Sequence, residues 1–437
     1  MRRPNPSREV GGVDTVIDEG TRTGAATSTD AERDGSVSPL VTDLSTFSPR
    51  LAEEGADALV VVGDRFDADL QYLTRLDGFQ GRVAIVVTTD AAVLCPSEGH
   101  RSIERARERF VDTVATAATS TTVDDGLDRS IRTDDLDAPV GKRAASIVTD
   151  LVGDTADILV PRTIPHDAVV YLEDAGHALT STTAIREARA VKSGAEIDRL
   201  RRVQAGAARG MDRAATILAE GRFGSDDPRA LLWDGEPLSV DRLRREMNAA
   251  MALAGVDAAG NTTVQCGSRS GSDATGEPLR AGEPIVIGLA PHGPDGYYGA
   301  LARTFVVDGD GGWERRAHLA VESAREAGID AIEPGVRASI LHEEVAAEIG
   351  AYGFDLNPAN RESGLTHDAG HGVGLERREA PALTATADLR PNTVLAIDAS
   401  VRDPDVGRVR LRDLLVVTDS AVETLVNSPT GIVPERR

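Results

Sequence analysis

His367 and His371 lie four residues apart, the spacing at which two imidazoles on one helix face can grip a zinc ion. Gly370, Gly372 and Gly374 crowd the same segment, and each glycine costs a helix interior about 1 kcal/mol relative to alanine. The helical zinc reading is therefore poor. The same glycines imitate a phosphate loop, yet no strand and helix of dinucleotide-binding type flank them. What remains for them is to let the backbone approach a pocket closely. Cys95 and Cys266 are the only cysteines, far apart and beside apolar or small residues, which predicts buried thiols in a reducing compartment and no disulfide framework.

The elements that must position these residues fall into two groups. Ala58 to Gly63 (ALVVVG) is a continuous apolar, largely β-branched run of the buried-strand type, followed by a second strand from Arg82 to Thr88 and a turn into Ala92 to Pro96. With a helical segment from Ser102 to Val111, these predict a small α/β domain over residues 39–182. From Ser181 onward the sequence opens a long helix with apolar residues Ile197, Leu200, Val203, Ala207, Met211 and Ala214 at helical spacing. Beyond it, short strands at Ile285 to Leu289, Arg303 to Val307, Val394 to Ile397 and Leu414 to Thr418 alternate with helices at Trp313 to Ala327 and Ile340 to Ile349. This pattern predicts an α+β domain over residues 183–430, a curved antiparallel sheet covered by helices. Residues 1–38, rich in Gly, Ser, Thr, Asp and Arg, are expected to form a disordered acidic tail.

At 437 residues and 41% hydrophobic content the chain can bury more than one core. Its net charge of -23 comes with almost no lysine, only Lys142 and Lys192, a combination that reads as a halophile's cytoplasmic protein. Dense surface carboxylates stay hydrated in strong salt, where a Debye length of about 3 Å at 1 M screens their repulsion. Such a surface, with no concentrated basic patch, argues against nucleic acid and anionic membranes as partners. No apolar stretch is long enough to span a bilayer, and no secretory signal opens the sequence.

Four stretches of the second half, taken in order, carry a resemblance: EPIVIGLAPHGPDGYYGALARTFVVDG, HDAGHGVGLERREAP, LRPNTVLAIDASV and GRVRLRDLLVVTD. Together with VQCGSRSGSDATGEPLRAGEP, AIREARAVKSGAEIDRLR and the N-terminal DADLQYLTRLDGFQG, they resemble the Xaa-Pro peptidases and creatinase-like members of the pita-bread metallopeptidase family. The resemblance runs from about Pro39 to Pro429. It implies a creatinase-like N-terminal domain before a pita-bread domain, a homodimer, and a pocket that in active members holds two divalent ions such as manganese or cobalt around a bridging water.

Carried over residue by residue, the resemblance places the first metal-binding Asp on Gly288 and the second on Ala300. The His is kept as His371, the first Glu becomes Asp398, and the last, bridging Glu becomes Arg412. The His before Glu379 is Arg378, and the His of the upstream loop is replaced near Asp273. A unit charge at about 4 Å interacts with another by roughly 4 kcal/mol at a dielectric of 20, and with a divalent ion by twice that, so Arg412 reverses the sign of a large interaction. His371 and Asp398 are the two surviving candidate ligands; with no metal, His371 becomes a hydrogen-bonding histidine and Asp398 an ion-pair partner of Arg412. The expectation is an Xaa-Pro peptidase homologue without catalytic residues or a cofactor, which binds a peptide, small molecule or protein. The rival is an active Xaa-Pro aminopeptidase or dipeptidase whose ligands have moved to His292, Asp295 or Asp413.

Overall fold

In the computed structural model, described for residues 40–437 apart from 77, 97–99, 114–124, 226, 269–275 and 357–362, the run Ala58–Gly63 is buried along its whole length. The segment expected to be a tail and the loop around Asp273 lie outside the described residues. Ala58–Gly63 is strand β1 of a six-stranded sheet with β2 (Val83–Val87), β3 (Ala91–Cys95), β4 (Asp128–Ile131), β5 (Asp157–Pro161) and β6 (Ala178–Thr182), in the order β4-β3-β2-β1-β5-β6. The sheet is mixed: β2 runs antiparallel to β1 and β3, while β5 runs parallel to β1 and β6. A central strand buried on both faces needs apolar side chains at every position, as ALVVVG provides.

The long helix is two helices, Ala184–Ala190 and Gly194–Glu220, because the chain stops and restarts at Ser193. Ser193 accepts from the Glu196 backbone while the Glu196 carboxylate accepts from the Ser193 backbone, a reciprocal cap that starts a new helix in place of continuing the old one. Three short strands follow, β7 (Arg222–Phe223), β8 (Leu231–Trp233) and β9 (Glu236–Pro237), then the helix Val240–Leu253.

The second large sheet is antiparallel throughout. It holds β10 (Thr263–Cys266), β11 (Ile285–Leu289), β12 (Leu301–Phe305), β13 (Gly370–Gly372), β14 (Glu379–Ala382), β15 (Val394–Asp403), β16 (Gly407–Val417) and β17 (Val422–Thr424). The order is β10-β11-β12-β16-β15-β13-β14, with β17 on β16. Its longest pair is the β15 and β16 hairpin, in which Asp398 faces Arg412, Ser400 faces Arg410 and Arg402 faces Arg408. Both strands exceed the short runs expected from their apolar segments, since Arg408, Arg410 and Arg412 alternate with buried Val409 and Leu411 and keep the strand half-buried.

Side chains of this hairpin alternate between faces. Ala399, Val401, Val409 and Leu411 pack under the helices Trp313–Asp330 and Ala338–Ala351. Val394, Ala396, Leu414 and Val416 belong to the core beneath the helix Gly194–Glu220. By the same two-residue period, Asp398, Ser400, Arg410 and Arg412 continue that second face past the end of its apolar stretch.

Candidate functional site

Gly370 and Gly372 fit a strand and not a pocket wall. A Cβ at Gly370 would lie 1.9 Å from the Ala396 carbonyl oxygen, and one at Gly372 would lie 2.1 Å from that of Ala380. These glycines let β13 close on β15 and β14, which corrects the expectation that they face a pocket. The helical zinc geometry is absent with it, since His371 is in β13 and His367 lies in the preceding loop.

His371 is buried, and its Nδ1 lies 2.9 Å from the Gly372 carbonyl, so Nδ1 donates and Nε2 carries the lone pair. Burial, with the Arg412 and Arg378 charges in support, holds the imidazole at about 4, and the ring is neutral at pH 7. Asp398 is 2% exposed. Its Oδ1 accepts from Arg410 Nε at 2.7 Å; its Oδ2 accepts from Arg410 Nη2 at 2.5 Å and from Arg412 Nε and Nη2 at 2.9 and 2.6 Å. Burial pushes this carboxyl up, but the two guanidinium groups outweigh it and hold it well below the usual carboxylate range. Arg412 is the expected partner of Asp398; Arg410 is a second one that was not expected. The signal was available in the alternation Arg408, Arg410, Arg412, which puts three cations on the face of Asp398.

At the other expected ligand positions there is little to coordinate with. Gly288 offers no side chain, and a Cβ there would meet Thr263 Oγ1 at 2.7 Å. Ala300 is pinned through its backbone, its N–H donating to Gln204 Oε1 and its carbonyl accepting from Gln204 Nε2, both at 2.9 Å. Among the described residues no group of three or more His, Cys, Asp or Glu is arranged to hold a metal ion.

Glu379 and Arg378 part company. Glu379 is buried in a charge lattice with Arg189 and Lys192, the latter 2.8 Å away, and Arg189 also reaches Asp69 at 2.6 Å and Glu376 at 2.8 Å. The lattice joins β14, the turn between two helices and the N-terminal helix Ala68–Thr74. Arg378 is exposed and borders a cavity of about 360 Å³ that Phe66, Asp69, Arg186, Arg189 and Glu376 also line. Cys95 and Cys266 are buried and form no disulfide.

Among the described residues the replacement ligands expected at His292, Asp295 and Asp413 join no group that could hold a metal ion. Asp413 points to the opposite face of β16, where it is paired with Arg303 at 2.6 Å and with Arg325. Asp295 lies 3.4 Å from Arg199, and the His292 ring packs edge-on against Tyr298.

The description of metallopeptidase family M24 matches residues 198–419, half of the chain. The chain belongs to metallopeptidase family M24. Among relatives, this M24 chain is 24% identical over 262 residues to the probable dipeptidase PepE of Mycobacterium tuberculosis, covering 58% of this chain and 63% of that protein. It is 26% identical over 173 residues to the Xaa-Pro dipeptidase of Pyrococcus furiosus, covering 38% of this chain and 47% of that one. These matches thus span less than two thirds of either relative. The fold is that of the prolidase from Pyrococcus horikoshii OT3, with a TM-score of 0.70, 17% identity, and coverage of 90% of this chain and 99% of that one. Dipeptidase PepE from Mycobacterium ulcerans superposes with a TM-score of 0.68 at 21% identity, over 90% of this chain and 96% of that one. The α+β class, with an N-terminal domain before a pita-bread domain, is established on this likeness. No helix among the described residues is long and apolar enough to cross a membrane.

Proposed function

We propose that this M24 chain is an Xaa-Pro peptidase homologue that has lost two-metal catalysis and works by binding a peptide, a small molecule or a protein. The observation that carries the reading is the set of four N–H donors from Arg410 and Arg412 on the Asp398 carboxylate. A hard divalent ion needs several oxygen ligands, and a carboxylate already saturated by two cations is a poor one. Gly288 and Ala300 bring no side-chain oxygen, and Arg412 would face the ion with a like charge. One neutral imidazole, His371, is left. This donor set does not fit a pair of manganese or cobalt ions. The rival reading, an active aminopeptidase or dipeptidase with relocated ligands, draws no support from His292, Asp295 and Asp413, which are engaged elsewhere and, among the described residues, join no group that could hold a metal ion.

The cavity beside Arg378, with both charge signs and an aromatic ring on its walls, is a suitable place for a peptide or small molecule. A homodimer is part of the same proposal. Protein purified in molar salt and incubated with manganese or cobalt is expected to carry far less than one ion per chain and to leave Ala-Pro intact. Two ions per chain with turnover of Ala-Pro would overturn the reading.

A further inference from the structure

We infer that the open face of the β15 and β16 hairpin binds a protonated oxyanion of the phosphate type at Arg408, Arg410, Arg412, Ser400 and His367. This deepens the proposed function and rests on that reading, in which Asp398 no longer serves as a metal ligand. Three guanidinium groups stand at two-residue intervals on β16, opposite a single carboxylate on the same face of β15. Asp398 engages Nε and Nη2 of both Arg410 and Arg412. Nη1 of each has no acceptor among the described residues, and both side chains reach solvent, at 18% and 16% exposure. The result is a local excess of positive charge in a protein whose net charge is -23.

Independent evidence comes from polar atoms that are buried with no hydrogen-bond partner among the described residues. Ser400 is fully buried across from Arg410, and its Oγ makes no hydrogen bond. Arg408 Nη2 donates to Thr366 Oγ1 at 3.2 Å, but its Nε is buried and unpaired. His367, within electrostatic reach of Asp398, Arg410 and Arg408, donates from Nδ1 to the Asp368 carbonyl at 2.8 Å and leaves Nε2 buried and unpaired. Three orphans in one cluster are unusual, since buried donors and acceptors are nearly always satisfied. The guanidinium N–H groups and the Ser400 hydroxyl can donate to anionic oxygens in the charge-assisted geometry that arginine favours. Neutral Nε2 of His367 is an acceptor, so the ligand that completes the set carries an O–H as well, as hydrogen phosphate does and acetate does not.

The test is calorimetric titration of the full chain, freed of phosphate and analysed for metals beforehand, with inorganic phosphate and separately with acetate at equal ionic strength. One saturable phosphate site is expected, with acetate at least about tenfold weaker. Losing one charge-assisted hydrogen bond should weaken phosphate about tenfold in Arg408→Gln, with a smaller loss in Ser400→Ala, which removes a single oxygen and leaves the fold intact. Arg82→Gln, on a surface ion pair of the other domain, should bind as the parent does. No saturable binding, equal affinity for acetate, or affinity unchanged in both site variants would overturn the proposal while leaving the metal-free reading in place. Two metal ions per chain in the starting protein would instead overturn the reading beneath it.

Discussion

The β16 strand carries two carboxylate and arginine clusters, one on each face, and they are finished to different degrees. On the helix-covered face Asp413 is 1% exposed and paired with Arg325 and Arg303. Every nitrogen of Arg303 is satisfied, by Asp413 and by the carbonyls of Ala302, Arg412, Ser428 and Pro429. On the open face Asp398 is as deeply buried, yet its two arginines reach solvent, and Ser400, His367 and Arg408 keep polar atoms with no partner among the described residues. A buried charge network that closes on itself holds a fold together. One with donors left over still lacks acceptors for them.

The two carboxylates should therefore differ in what their removal costs. Asp413→Ala strands the fully buried Arg303 and should destabilise by about 5 kcal/mol, the upper end for breaking a buried pair. Asp398→Ala frees two arginines that can turn toward water and should cost less, about 3 kcal/mol. Urea unfolding of both variants in molar salt measures the pair. Equal losses would erase the distinction between a closed and an open cluster.

His371 sharpens the comparison through pH. Its folded value of about 4 lies below the ordinary 6.5, so between these values the unfolded chain binds more protons than the folded one. The stability it contributes is complete above pH 6.5 and falls as the pH drops toward 4, by up to about 3 kcal/mol. Asp398 acts in a lower window: its depressed carboxyl contributes stability above the ordinary 3.8 that is lost as the pH falls through the folded value. His371→Gln should therefore flatten the slope between pH 6.5 and 4 and leave the more acidic limb unchanged. An unaltered slope in that variant would mean that His371 is solvated. The smallest effect belongs to Arg378→Ala, an exposed side chain whose loss should shift stability by no more than about 0.5 kcal/mol; a larger loss would place Arg378 inside the open cluster.

Much of the fold could be read from alternation and apolar runs, because a strand buried on both faces and a strand buried on one have different signatures. ALVVVG is a strand for that reason, whereas the GHG segment, two of its three residues glycine, carries neither signature and shows as a strand only in the structure. The break at Ser193 was written in the sequence as Ser-x-x-Glu, but the helical spacing on either side of it masked the stop. Family positions pointed to Arg412 and Asp398. They gave no role to Arg410, Arg408 or Ser400, which occupy no ligand position and come beside Asp398 through strand register. Nor could local patterns reveal the Glu379, Lys192, Arg189 and Asp69 lattice, whose members lie up to 310 residues apart in sequence.

In the proposed reading arginine, and not metal, holds Asp398. The most direct test of that reading is the manganese content of the parent beside the variant Gly288→Asp, Ala300→Asp, Asp398→Glu and Arg412→Glu, with Thr263→Ala added to clear the oxygen that a side chain at 288 would strike. The parent should carry far less than one ion per chain and the variant clearly more, whether or not Ala-Pro hydrolysis returns, since looser geometry abolishes catalysis before binding. Two tightly bound ions per chain in the parent would contradict the reading.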